Sequence, residues 1–312
     1  MHEIAGLQAF SNWPASANTV FVLFHGCNNG GSEWFQKPEE VIFLRAVLAR
    51  SAAILAFTNP VHDGSFCWPN SDGSDFEDVA AAILNGARRI FQSKTTIPLD
   101  LIFVGASSGG TFASTLLNVH LDSWRQLGQV VAFLSVVSPT SFIRNSKLVG
   151  HPRSDFPATG IIYMPRDVSF ASEAAVAQLL LSLKRMNVAA KAWPVGPRKL
   201  TASDFLRSLN VAGLDVQEAS VSRFIEALTD LGLVEAEEVV ADPRRFPWQR
   251  TLVALREMRS DVSAEHGRRC VEELLNRAWA QHEFGVAEIA EEVLDWLLQI
   301  SDARPVSRSQ DL

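Results

Sequence analysis

The densest chemistry in the chain lies between Asp100 and Ser114. There Asp100-Leu-Ile-Phe-Val-Gly105-Ala-Ser107-Ser108-Gly109-Gly110 carries an apolar run into G-x-S-x-G and then into Thr111-Phe-Ala-Ser, the start of a helical pattern. A serine on a tight strand-to-helix turn projects its hydroxyl from the C-terminal end of the strand. Glycines at 105 and 109 remove side chains that would strike the neighbouring strand and helix. A bare G-x-S-x-G arises about 0.1 times by chance in such a chain, so the strand before and the helix after carry the assignment. The chemistry this predicts is attack by Ser107 on an acyl carbon, which requires a base, an orienting acid and two oxyanion donors.

One donor is expected from the backbone N–H of Ser108, at the helix start. The second is expected from the loop that follows Phe21-Val-Leu-Phe-His25-Gly26-Cys27-Asn28, as the amide of Cys27 or Asn28. In that loop His25 is expected to be structural, holding the turn by side-chain hydrogen bonds. For the base, only His266 and His282 of the seven histidines fall late in the chain. His282, in Trp279-Ala-Gln-His-Glu-Phe284, sits in a short break before a terminal amphipathic segment and is favoured. His266 is flanked by helical pattern and basic residues, the mark of a solvated face. For the acid, Asp167 ends the strand pattern Gly160-Ile-Ile-Tyr-Met-Pro-Arg-Asp167, at the edge where open α/β sheets place functional groups. Its competing role is N-cap of a helix from Ser169. Asp155 and Asp215 lie outside the strand end and are weaker substitutes.

These groups need a scaffold. From Thr19 to Pro197, short β-branched or apolar runs alternate with segments of helical period. This is the pattern of an α/β fold with a parallel sheet covered by helices, whose strands are apolar on both faces. Strands are predicted from Thr19, Ala52, Asp100, Val130, Gly160 and Ala189. Helices are predicted over Glu33–Ser51, Asp75–Ser93, Gly109–Leu121 and Ser169–Asn187. After Pro197 the strand signal fades and about 66 residues read as helices. Thr201-Ala-Ser-Asp204 opens one as a capping-box variant, and Asp215–Leu231 ends at Gly232. Further helices are expected from Pro247 towards Met258, over Val262–Trp279 and over Val286–Ile300. The expected organisation is a core over 1–197, a helical insertion over 198–262, core completion over 263–302 and a frayed tail over 303–312.

Through the His25-Gly26 loop, the Gly105-Ala-Ser-Ser-Gly-Gly110 elbow, Asp167 and His282, the chain resembles the α/β-hydrolase fold. The resemblance spans about Asn18–Pro197 and Cys270–Ser301. It implies a mostly parallel sheet of about eight strands, no cofactor, and acyl-enzyme chemistry on esters, amides or thioesters. More loosely, His25-Gly-Cys27 and Cys67-Trp68 resemble feruloyl-esterase and polyhydroxybutyrate-depolymerase relatives, and GASSGG with a late AWAQHEF resembles uncharacterised plant hydrolases. Two departures stand out. Helices intervene between the last strand and the histidine loop, and the residues after His25-Gly26 are not the glycine-rich form of lipases, which weakens a bulky-acyl lipase.

Composition bounds the rest. With 312 residues, 47% hydrophobic and 20% charged, the chain can bury one large core or two modest ones. A net charge of −7 offers no field for nucleic acid. The stretch Ser220–Val239, a helix and then Leu-Gly-Leu-Val-Glu, has a winged-helix outline, but Glu235, Glu237 and Glu238 oppose DNA contact. No apolar stretch reaches membrane-span length and no leader pattern opens the sequence, so a soluble, cytoplasmic chain is expected. Cys27, Cys67 and Cys270 form no C-x-x-C pair, so no metal site is expected. A Cys27–Cys67 disulfide requires two loops to meet, and free thiols in a reducing cytosol are the expectation. Trp34, Phe66 and Trp68 are candidates for an apolar acyl pocket, with ordinary core as their competing role. The function expected is ester hydrolysis on a small-molecule acyl substrate. An amidase or peptidase with the same residues, or a non-catalytic binding protein on this scaffold, are the alternatives. The sequence is silent on oligomeric state.

Overall fold

The computed structural model describes residues 2–4, 6–61, 66–69, 75–138, 155–168, 170–252 and 265–302. Eight strands form one sheet: β1 (His2–Ile4), β2 (Leu7–Asn12), β3 (Thr19–Phe24), β4 (Ala53–Phe57), β5 (Asp100–Ala106), β6 (Gln129–Val136), β7 (Ala158–Tyr163) and β8 (Ala190–Pro194). Their order is β1-β2-β4-β3-β5-β6-β7-β8. The β1–β2 and β2–β4 pairs are antiparallel and the rest parallel. Every residue of β3, β4 and β7 is buried, as strands covered on both faces must be. All six strands expected from the sequence are present. The antiparallel pair β1 and β2 was not anticipated, because Leu7–Asn12 alternates between buried and exposed and is short.

Among the described residues the helices are α1 (Pro38–Ala49), α2 (Phe76–Lys94), α3 (Ser108–Arg125), α4 (Glu173–Arg185), α5 (Ala202–Val211), α6 (Glu218–Asp230), α7 (Glu265–Trp279) and α8 (Ala290–Asp302). The segment expected as one helix over Glu33–Ser51 is divided. A 3-10 turn at Gly31–Phe35 precedes α1, which starts at Pro38 because proline needs no N–H at the first helical position. α3 packs on β5 and β6, α2 on α3 and β2, and α1 on α8.

Two apolar clusters divide the molecule. The first is the sheet with its helices. The second gathers Phe205, Leu209, Phe224, Leu228, Trp248 and the buried face of α7. α5 begins as expected, with the Thr201 hydroxyl accepting from the Asp204 N–H at 3.1 Å, a cap of about 1 kcal/mol. α6 closes at Gly232, whose φ is +76°. There Leu233 N–H donates to the Leu228 carbonyl and Gly232 N–H to that of Thr229. The expectation of helices alone after Pro197 is corrected by a hairpin, Val234–Glu235 against Glu238–Val239. Its turn residues Ala236 and Glu237 have positive φ, which composition does not announce. The return to the main core was expected at residue 263. Cys270, Val271, Leu274, Leu275 and Ala278 pack in the second cluster, and Ala280, Phe284 and Val286 in the first. The helix portions expected over 253–258 and before Glu265, and the tail over 303–312, lie outside the described residues.

Candidate active site

Ser107 follows β5 directly and precedes the first turn of α3. Its φ and ψ are 49° and −118°, a left-handed strain for a residue with a Cβ. The surroundings leave the turn no alternative. Its N–H donates to the Val136 carbonyl on β6 at 2.9 Å, and its carbonyl accepts from Gly110 and Thr111. A Cβ on Gly105 would lie 2.5 Å from the Gly109 carbonyl oxygen, and one on Gly109 would lie 2.4 Å from the Phe24 and His25 carbonyl oxygens. Both positions therefore admit only glycine. Ser108 opens α3, where first-turn amides have no partner within the helix and the helix dipole is positive.

The Ser107 hydroxyl lies 3.0 Å from His282 Nε2, and His282 Nδ1 lies 2.7 Å from Asp167 Oδ2. A carboxylate only accepts, so Nδ1 carries the proton and Nε2 presents its lone pair to the serine. Asp167 is 1% exposed and also accepts from the Phe170 N–H at 2.9 Å and the Ala171 N–H at 3.2 Å. The capping role considered for Asp167 goes instead to Ser172, whose side chain accepts from Ala175 N–H at the start of α4. Asp167 binds loop amides before that helix. His282, in the loop between α7 and α8, also has a positive φ of 47°. His266 lies elsewhere, against the Ala212 carbonyl at 3.3 Å. Asp155 pairs with Arg125.

The loop after β3 packs against the serine turn, since a Cβ on Gly26 would be 3.5 Å from that of Ser107. His25 Nδ1 lies 2.7 Å from the Gly26 carbonyl and His25 Nε2 accepts from the Asn59 N–H at 3.1 Å. Those two bonds set its tautomer, with the proton on Nδ1. Burial pushes its pKa down to about 4, so the ring stays neutral and structural. Asn28 follows with a left-handed φ of 60°. The free-thiol expectation is corrected here: Cys27 and Cys67 form a disulfide. His25 and Asn59, side chain to backbone, and Asn59 Nδ2, bonded to the Cys67 carbonyl at 2.7 Å, bring the two loops together. Disulfides persist in oxidising compartments, so the reducing-cytosol argument loses its ground.

A cavity of about 780 Å³ opens beside Ser107 and His282. Of the three aromatic pocket candidates, Trp34 and Phe66 line it. Trp68 does not. Its ring is buried against Phe24, His25 and Phe112, and its Nε1–H donates to the His25 carbonyl at 2.9 Å, so it supports the loop from beneath. Phe170, whose ring centroid is 4.4 Å from that of His282, lines the cavity and was not anticipated. The charged wall was also missed: Glu33, Lys37, Glu40, Arg269 and Glu273. Burial pushes Glu40 up to about 7 and, with Glu40 facing it, raises Glu273 well above the usual carboxylate range. Burial also raises Glu33, against the pull of Lys37 and Arg269. Burial opposes the Lys37 charge, but Glu40, Glu273, Glu283 and Glu33 around it raise its pKa overall. The only outward sign in the sequence is Glu39-Glu40 in the first turn of a helix, which normally marks a solvated N-terminus.

A family model of the alpha/beta hydrolase family matches residues 21–281, from β3 through the start of the histidine loop. The chain belongs to the alpha/beta hydrolase family. Its mostly parallel eight-stranded sheet flanked by helices is the architecture expected from the resemblance. No curated protein sequence matches it. Among solved structures it is similar to a carboxylesterase from Bacillus cereus, at 14% identity and a TM-score of 0.47 over 67% of this chain and 94% of that one. It is also similar to Est1E from Butyrivibrio proteoclasticus with ferulic acid bound, at 16% identity and a TM-score of 0.42 over 61% and 85%. A third is carboxyl esterase 2 from Tuber melanosporum, at 14% identity and a TM-score of 0.45 over 69% and 78%. Among the described residues no helix is long and apolar enough to cross a membrane.

Proposed function

We propose that this alpha/beta hydrolase is a serine hydrolase cleaving carboxylic esters of small molecules through an acyl-enzyme. The observation that carries the reading is the chain of contacts from the strained Ser107 through His282 to the buried Asp167, at 3.0 and 2.7 Å. In this reading Ser107 Oγ attacks the ester carbonyl as its proton passes to His282 Nε2, and Asp167 stabilises the imidazolium on the Nδ1 side. The N–H of Ser108 and that of Cys27 or Asn28 receive the oxyanion; losing one such donor costs about 3 to 4 kcal/mol of transition-state stabilisation. The imidazolium then protonates the departing alcohol. Water, activated by the same histidine, attacks the acyl-enzyme, releases the acid and restores Ser107.

The second cluster acts as a cap over this site, since its Arg244, Arg269, Glu273 and Asn276 line the same cavity as Ser107. Phe66 and Phe170 supply apolar surface beside the serine. The charged wall favours an ester with polar groups over a long unbranched acyl chain, because hydrocarbon laid against Arg244 and Arg269, which still face solvent at 34% and 29%, would strip water from their charges.

The test is intact-mass labelling with a fluorophosphonate together with hydrolysis of short p-nitrophenyl esters. One adduct on the wild type and none on Ser107→Ala is expected, with turnover lowered at least about 10³-fold in the variant. Full turnover in a folded Ser107→Ala overturns the reading.

A further inference from the structure

We infer that Arg269 and Arg244 are positioning residues, through which the second cluster holds the two loops that must meet at Ser107. The inference rests on the proposed roles of those loops. Arg269 projects from α7 and donates from one guanidinium nitrogen to the Asn28 carbonyl and the Asn29 side-chain oxygen, and from another to the Glu33 carboxylate. Arg244 lies in the 3-10 turn Pro243–Arg245 and donates from Nη2 to the His282 carbonyl at 3.0 Å, with Glu283 at 3.7 Å from the same nitrogen.

The two contacts share a form. Each arginine grips the backbone carbonyl of a non-glycine residue with left-handed φ, 60° at Asn28 and 47° at His282. Such conformations persist only where the surroundings over-determine them. At Asn28 the carbonyl belongs to the turn from which, in the proposed function, the amide of Cys27 or Asn28 receives the oxyanion. At His282 it belongs to the residue whose ring must reach Ser107 and Asp167 together. A guanidinium suits this task, because its planar fork binds a carbonyl and a carboxylate at once in fixed geometry. Neither side chain is deeply buried, at 29% and 34% exposure, so neither is part of a packed core.

The neighbouring Arg268 supplies the comparison. It sits on the same helix, and its guanidinium pairs with Glu265 and Glu272 of that helix rather than with a loop. Arg269→Met, Arg269→Lys, Arg244→Met and Arg268→Met are assayed for kcat and KM on a short p-nitrophenyl ester, with thermal melting to establish folding. Arg269→Met and Arg244→Met are expected to lower kcat by about 10- to 100-fold, with KM within about threefold of wild type, the signature of misplaced groups rather than lost substrate contacts. Arg269→Lys is expected to recover part of the loss, and Arg268→Met to stay within about twofold of wild type. Undiminished kcat in both methionine variants, or a raised KM at unchanged kcat, overturns the inference. Ser107→Ala assayed alongside separates this from the underlying reading. Turnover surviving in Ser107→Ala removes the reading and the inference together, whereas an inert Ser107→Ala beside fully active arginine variants removes the inference alone.

Discussion

The serine turn and the histidine loop hold residues of equally strained backbone in different ways. Around Ser107 the restraint is local and steric: strand β5, helix α3 and two glycines packed at 2.4–2.5 Å of virtual Cβ distance leave a single conformation. Around His282 the restraint is remote and polar: Asp167 from beyond β7, and Arg244 and Glu39 from other parts of the chain, hold the loop by side-chain bonds to its backbone and ring. Glu39 Oε2, for instance, accepts from the N–H groups of Val286 and Ala287 at 3.1 and 3.0 Å. A steric restraint fails with the fold. A polar one can fail while the fold survives, and that difference can be tested.

Asp167→Asn should have the largest effect on the polar side. An amide cannot accept from both loop N–H groups and the imidazole as a carboxylate does, so His282 is left in the wrong tautomer for the serine. Activity is expected to fall about 10³- to 10⁴-fold, with the melting temperature lower by only a few degrees, read by ester turnover and calorimetry. Equal loss of activity and fold would break the comparison. Gly109→Ala is the steric counterpart. Its new Cβ meets backbone atoms that cannot swing aside, so a loss of about 4 kcal/mol or more, or failure to accumulate folded protein, is expected. A soluble, fully active Gly109→Ala would show that the turn is not sterically fixed.

That contrast also explains what could be read in advance. The elbow is written in contiguous residues, Gly105 to Gly110, whose types suffice to predict both the turn and the exposed hydroxyl. The six parallel strands were equally legible, being uniformly apolar. Asp167 and His282 could be named from strand end and chain order, but their meeting across 115 residues is a property of the fold. Arg269 carried no signal, because an arginine on an amphipathic helix looks the same whether it faces solvent or a loop from elsewhere, and a basic residue in a short turn, such as Arg244, or ahead of a helix, such as Lys37, is as ordinary. Trp68 was left between two roles for a related reason. A tryptophan beside a loop cysteine fits a pocket wall as well as it fits a buried prop, and only the Nε1–H bond to the His25 carbonyl decides between them.

The loop that carries Cys27 has both kinds of restraint, so Cys67→Ser measures how they combine. The disulfide closes a separation of 40 residues, and its loss is expected to cost about 2 to 4 kcal/mol through the freed unfolded chain. Because Trp68, Asn59 and His25 still brace the loop, turnover of the folded variant below its melting point is expected to stay within about threefold of wild type, well short of a tenfold loss worth about 1.4 kcal/mol. A collapse of kcat at low temperature would make the disulfide, rather than these hydrogen bonds, the element that shapes the oxyanion loop.

The smallest effect concerns the carboxyl pair where α7 meets α1. Glu273 Oε1 accepts from the Glu39 N–H at 3.0 Å, and the buried Glu40 carboxyl faces Glu273. Burial holds both pKa values up, Glu40 at about 7 and Glu273 well above the ordinary carboxylate value, so the folded protein binds more protons here than the unfolded chain. Stability from this pair is therefore complete below about pH 4.5, the unfolded value, and declines as pH rises through 7 and beyond. Glu273→Gln keeps an acceptor for Glu39 and gives Glu40 a permanent donor. It should match wild type near pH 4 and exceed it by about 1 kcal/mol at pH 8, a few degrees of melting temperature. Taking the difference between variant and wild type removes the contribution of His25, whose lowered pKa acts in the opposite direction as acid is added. A difference independent of pH would show that the two carboxyls do not share a proton. At this seam the contact would then rest on the bond from the Glu39 N–H and the ion pair of Arg198 with Glu39, beside the arginine contacts further along it.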